Sequence, residues 1–184
     1  RTAERLLTLT VGLLQALGRH TITQVLQGLG QGNADWSAVY RLFSQARFDL
    51  AAGRQALLAQ VLDLIPVTRP LVVVLDGTQL PRTSPRFVGV GWLKAPRTPA
   101  WRPGIHRAQR WMGLSVLLPR STQGESRAVP VNFTPAPSPT AVPWPGHPPC
   151  TEWEAGRAAL QQLRTDLDGL DRAAQPILAV ADGS

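Results

Sequence analysis

The spacing of apolar residues changes at Pro66. Before it, they recur at helical intervals. Leu6, Leu7, Leu9, Leu13, Leu14 and Leu17 make one stripe, ended by Gly18. Thr21 or Thr23 can cap a second helix that runs through Leu29 and is closed by Gly30 and Gly32. Asp35 stands ahead of a third, in which Trp36, Val39, Tyr40 and Phe43 share a face. Asp49 caps a fourth, carrying Leu50, Leu57, Leu58, Val61, Leu62 and Ile65 up to Pro66. The pattern predicts a helical domain over residues 1–66. It leaves open whether two of these helices form a DNA-reading helix-turn-helix.

After Pro66 the pattern is that of strands. Leu71–Leu75 and Ile177–Ala181 are short apolar runs of the kind buried inside an α/β sheet. Residues 86–92 and 110–118 read as two further strands, and residues 128–133 as a short one. Eight of the seventeen prolines fall between positions 130 and 149, which predicts an extended loop. Residues 152–170 are helical, with Thr151 as the cap. The predicted fold is α/β, with a mixed sheet and a flanking helix over residues 67–184.

Both apolar runs end on an aspartate followed by glycine, Asp76-Gly77 and Asp182-Gly183. Asp-Gly is also a hairpin turn signal, so either pair by itself could simply reverse the chain. Together they say more. The helix between them allows a crossover, which would set the second strand parallel to the first and bring both carboxylates to one sheet edge. At about 4 Å, two carboxylates repel by roughly 4 kcal/mol at an effective dielectric of 20. Mg²⁺ or Mn²⁺ would relieve that repulsion. Asp182 stands two residues from the last residue, so the chain is expected to be an amino-terminal or internal piece of a longer protein.

Charge adds a partner to this picture. The 184 residues carry a formal net charge of +7, nearly all of it guanidinium, since Lys94 is the only lysine. A GC-rich genome, whose codons favour arginine, would be the bland explanation, yet arginine still supplies bidentate phosphate contacts. Arg82, Arg86, Lys94, Arg97, Arg102, Arg107 and Arg110 lie in a stretch with no acidic residue, interleaved with Trp92, Trp101 and Trp111. Basic side chains suit phosphates and exposed indoles suit unpaired bases, although the tryptophans could equally be core. One cysteine, Cys150, excludes an internal disulfide and a multi-cysteine zinc site, and agrees with a reducing cytoplasm. No apolar run is long enough to span a membrane. There is no phosphate-binding lysine loop and no nucleophile-elbow serine.

As a set, these residues resemble the bacterial insertion-sequence transposases of the DDE type. Asp35-Trp36-Ser37-Ala38-Val39-Tyr40-Arg41-Leu42-Phe43-Ser44, with Ala46-Arg47-Phe48-Asp49 after it, is similar to that family's amino-terminal helical motif. Val73-Val74-Leu75-Asp76-Gly77-Thr78 resembles its first catalytic strand, Gly104-Ile105-His106 its Gly-His step, and Ala179-Val180-Ala181-Asp182-Gly183 the strand of its second aspartate. The resemblance implies a ribonuclease H-like fold with a strand–strand–strand–helix–strand opening, truncated here at its carboxyl end. It also implies two metal ions that activate a water or a DNA 3′-hydroxyl for attack on a phosphodiester. Asp76 would bridge both ions and Asp182 would bind one. DNA, as element ends and target, would meet Arg82, Arg86, Lys94, Arg97, Arg102, His106, Arg107 and Arg110. A nucleoid-associated cytoplasmic protein follows, with a homodimer as a candidate assembly. Two departures stand out: Gly77 where the family often has a second Asp, and no place in this piece for the family's later glutamate. The fragment is therefore expected to be a poor catalyst or none. The alternatives are an inactive DNA-binding remnant of a transposase gene and another metal-dependent α/β enzyme.

Overall fold

The computed structural model describes residues 2–16, 21–33, 35–45, 48–84, 86–96, 98–99, 101–119, 124 and 126–181. Helices α1 (Thr2–Gln15), α2 (Ile22–Gly28), α3 (Ser37–Ser44) and α4 (Leu50–Leu62) come first. They are followed by β1 (Leu71–Pro81), β2 (Val90–Lys94), β3 (Ile105–Leu117), β4 (Ala128–Pro135), α5 (Glu152–Asp168) and β5 (Ile177–Ala181). By internal contacts the chain divides into two compact units, Arg1–Gly53 and Arg54–Ser184. The division thus falls inside α4, whereas the periodicity changes at Pro66.

In the first unit the caps are those the sequence offers. Thr21 Oγ1 accepts from Gln24 N at 3.2 Å, and Asp49 Oδ1 accepts from Ala51 N and Ala52 N at 2.9 and 3.0 Å. Gly30 closes α2 at φ +71°, a conformation that favours glycine. α1 crosses α2 closely, since a Cβ on Gly12 would stand 2.6 Å from Leu29 Cδ1 and 2.8 Å from Val25 Cγ1. Gly18 and Leu17 lie outside the described residues, as do Ala46 and Arg47.

The second unit is built on a five-stranded mixed sheet in the order β2-β3-β1-β5, with β4 also paired to β3. β3 is long enough for two partners on one edge: Ile105–Gln109 pairs with β2, and Trp111–Leu117 with β4. β1 runs antiparallel to β3 and parallel to β5, with Leu71 opposite Ile177 and Leu75 opposite Ala181. Leu71, Val73 and Leu75 point to one face, where they meet Ala155, Ala159, Leu163 and Leu167 of α5. Leu58, Val61, Leu62 and Ile65 fill the same core. This is a ribonuclease H-like α/β arrangement, as the resemblance implied.

Three expectations change. β1 does not stop at Leu75 but continues through Asp76-Gly77-Thr78 to Pro81, because β3 supplies an antiparallel partner as far as Ala108. That excludes a hairpin turn at Asp76-Gly77. The strand expected at 86–92 is displaced to Val90–Lys94, since Gly89 takes φ +71° and Val90 N turns back to Phe87 O at 3.2 Å. With the short strand read at 128–133, which forms as Ala128–Pro135, the sheet has four strands before its helix. The proline-rich stretch is also better packed than an extended loop. Ala136 and Ser138 are buried, Val142 exchanges backbone hydrogen bonds with Gly89 and Val90, and Trp144 meets Trp111 edge-on at 5.2 Å. On β5, Leu178 and Val180 stay exposed, as no described element covers that face.

Candidate functional site

Asp76 sits on β1 just beyond the last described pair with β5, Leu75 opposite Ala181. The residue that follows Ala181 in the chain is Asp182, which lies outside the described residues. Asp76 is exposed and is one of the residues that line a cavity of about 320 Å³, with Leu75, Gly77, Met112, Glu152, Trp153 and Ala181. α5 forms one side of this cavity because its cap aims the first turn there. Thr151 and Glu154 make a reciprocal capping box: Thr151 N donates to Glu154 Oε2 at 2.7 Å, and Glu154 N donates to Thr151 Oγ1 at 3.1 Å. The backbone bond, and after it the one from the Thr151 hydroxyl, holds the Glu154 carboxyl below the usual carboxylate range.

Glu152 is the acid that sequence reasoning passed over. Its carboxylate fills the space where a side chain at position 77 would be, 3.0–3.3 Å from the Cβ that Gly77 lacks. The signal was present in the sequence: of two acids in the first turn of a Thr-capped helix, the box consumes Glu154 and leaves Glu152 unassigned. Trp153 beside it is 71% exposed at the cavity. Among the described residues no group of three or more His, Cys, Asp or Glu side chains comes together. The ionisable residues that line the cavity, Asp76 and Glu152, are both oxygen donors. Such a hard-oxygen set fits a small divalent cation such as Mg²⁺ or Mn²⁺.

The basic stretch divides into surface and interior. Lys94 and Arg102 are exposed, and the half-buried Arg107 lies over the Trp92 ring at 4.8 Å. Trp92 and Trp101 are 54% and 86% exposed, so these two indoles are not core residues. Arg86 is exposed in the turn before β2; Arg82 is exposed beside Phe87, 5.8 Å from its ring. Arg97 lies outside the described residues. His106 is on β3, not ahead of it, and its Nε2 donates to Gln79 Oε1 on β1 at 2.6 Å.

Arg110 departs from its expected role. Its Nε donates to Ala136 O at 2.9 Å and its Nη2 to Cys150 O at 2.6 Å, so it ties the proline-rich stretch to the sheet. Nε also lies 3.8 Å from Glu152 Oε1, an ion pair longer than a hydrogen bond. The two bonds to carbonyls fix the guanidinium against the proline-rich stretch. Trp111 likewise packs against Trp144. Burial pushes the Cys150 thiol upward, against a smaller lowering by Arg110, which disfavours a thiolate nucleophile.

A family model described as DDE superfamily endonuclease matches residues 1–182. The chain belongs to this family. No curated protein and no solved structure gives a significant match. Membership makes the protein a transposase-like nuclease domain of a family whose substrate is DNA and whose chemistry uses divalent metal. Among the described residues, no helix of this DDE endonuclease is long and apolar enough to cross a membrane.

Proposed function

We propose that this DDE endonuclease is the transposase of a bacterial insertion sequence, cutting and joining DNA with Asp76 and Asp182 as ligands of Mg²⁺ or Mn²⁺. The observation that carries the reading is the parallel register of β1 and β5, which pairs the residues immediately before the two aspartates. A bound cation would activate the attacking water or 3′-hydroxyl and stabilise the leaving oxygen. The chain's own residues do the rest. Asp76, exposed at the edge of the sheet, presents a carboxylate to solvent and substrate. Lys94, Arg102 and Arg107, with Arg82, Arg86 and Arg97, hold the phosphate backbone, and Trp92 and Trp101 stack on unpaired bases.

The test separates chemistry from affinity. Asp76→Asn and Asp182→Asn should each abolish Mg²⁺-dependent nicking and strand transfer on a plasmid carrying the element ends, while DNA affinity stays within about twofold. Full cleavage by either variant would sink the mechanism.

A further inference from the structure

We infer that Phe133 is a DNA-contact residue, whose exposed ring stacks on a nucleobase beside Asp76 and so positions the strand there. This rests on the proposed reading of Asp76 as a metal ligand at the cut phosphate. Asp76 on β1 is opposite Gly113 on β3, and Gly113 is opposite Phe133 on β4. Directly opposed residues share a face of the sheet, so the three form one row. That face is the one turned away from α5, because Leu75 and Gly77, the neighbours of Asp76 in β1, take the α5 side. Gly113 places no side chain between the other two. A Cβ there would stand 3.3 Å from Phe133 Cε1 and 3.4 Å from the Asp76 carbonyl oxygen. The Phe133 ring therefore reaches over the glycine that separates it from Asp76. Only one edge of the ring, Cε1 and Cδ1, meets Gly113, and the residue stays 55% exposed.

The same face carries the charge that a nucleic acid requires. Alternation along β3 keeps Gly113, Trp111, Gln109 and Arg107 on it, and Arg107 lies over the ring of Trp92, its partner on β2. Arg82 joins them, since its Nε donates to Gln109 Oε1 at 3.4 Å. At about 3.4 Å per residue, Arg107 stands about 20 Å from Gly113 along the strand. Among the described residues of the five strands, Asp76 is the only acid. A basic and aromatic track thus leads along one face to a single carboxylate with an open ring next to it. Stacking on bases is what such a ring offers a strand whose phosphates the arginines hold.

Photo-cross-linking tests this without any cleavage readout. Single-stranded DNA with iodouracil in place of thymine is bound to the full chain and irradiated, and the attached peptide is identified by mass spectrometry. An adduct on Phe133 is expected. Phe133→Ala should lose it and weaken affinity for the same strand by about fivefold or more. Phe133→Trp should keep both, whereas Phe133→Leu, which still covers Gly113, should lose them as alanine does. If leucine serves as well as phenylalanine, the ring only shields Gly113 and the inference falls. It falls equally if no adduct forms at Phe133; the reading of Asp76 then stands as long as Asp76→Asn abolishes nicking. If Asp76→Asn nicks like the wild type, the reading of Asp76 falls and takes the positioning role of Phe133 with it, whatever the adduct. Thermal unfolding without DNA checks that each variant folds. Should Phe133→Ala not, the contrast between the leucine and tryptophan variants decides.

Discussion

Thr151 shows how much one residue arranges near the cavity. Its hydroxyl and backbone N–H engage Glu154, which starts α5 and sets Glu152 and Trp153 at the cavity. Thr151→Ala should lower stability by about 1 kcal/mol, measured by denaturant unfolding at neutral pH. The pH dependence has a definite sign. Glu154 has a folded-state pKa below its unfolded value, near 4.3 for an ordinary glutamate. Its contribution is therefore complete above that value and is lost as pH falls through the depressed folded pKa. Amide exchange at the start of α5 should accelerate on acidification in the wild type, and Glu154→Gln should remove that dependence. An exchange rate that ignores pH after correction for intrinsic exchange would contradict the capping role.

At the scale of elements, α4 and α5 are joined by an ion pair as well as by core packing. Arg54 Nε and Nη2 donate to Asp166 at 3.0 and 3.3 Å, and Gln162 donates to the same carboxylate at 3.0 Å. Asp166 is buried, so Arg54→Leu leaves a charge without its partner, a loss of about 3 kcal/mol that should appear as a lowered Tm. The segment from β2 to β3 has the opposite character, holding its aromatics in solvent. On the proposed reading, Trp101→Ala should weaken single-stranded DNA binding by about 1–3 kcal/mol and leave duplex affinity nearly unchanged. Equal losses on both substrates, in a fluorescence titration, would argue that Trp101 does not stack on unpaired bases.

Over the whole molecule, the +7 formal charge is a poor guide to the binding surface until each arginine is located. Arg164 and Arg172 donate to carbonyls of Ala173, Gln175, Ile65 and Leu62, and so brace the carboxyl-terminal turn rather than a ligand. Replacing Lys94, Arg102 and Arg107 with glutamine should flatten the salt dependence of DNA affinity by roughly 0.9 in log–log slope for each phosphate no longer neutralised. Arg110→Gln should instead lower Tm with little change in that slope. The unit boundary is testable as well. Leu58, Val61, Leu62 and Ile65 belong to the sheet's core, so a chain beginning at Val67 loses four buried aliphatic side chains. At about 2–5 kcal/mol for truncating each one, that rivals the whole stability of a domain of this size, and the shortened chain should not fold cooperatively. A cooperative thermal transition in such a chain would refute it.

The order and type of elements could be read from the chain because they follow from local rules. Leucines at helical spacing, Thr21, Asp49 and Thr151 as caps, and the apolar runs at 71–75 and 177–181 all act over a few residues. The candidate site was half legible for the same reason: Asp76 stands out because it interrupts an apolar strand. The continuation of β1 past Asp76 was not legible, since it depends on β3, whose pairing residues lie far along the chain. Nor could sequence separate Arg110, turned onto the carbonyls of Ala136 and Cys150, from Arg102 in solvent, because both carry the same charge in the same acid-free stretch. Glu152 reached the cavity beside Gly77 through the packing of α5 over the sheet and the absence of a Cβ at Gly77. Local periodicity determined which elements form; long-range register and close packing decided which side chains meet.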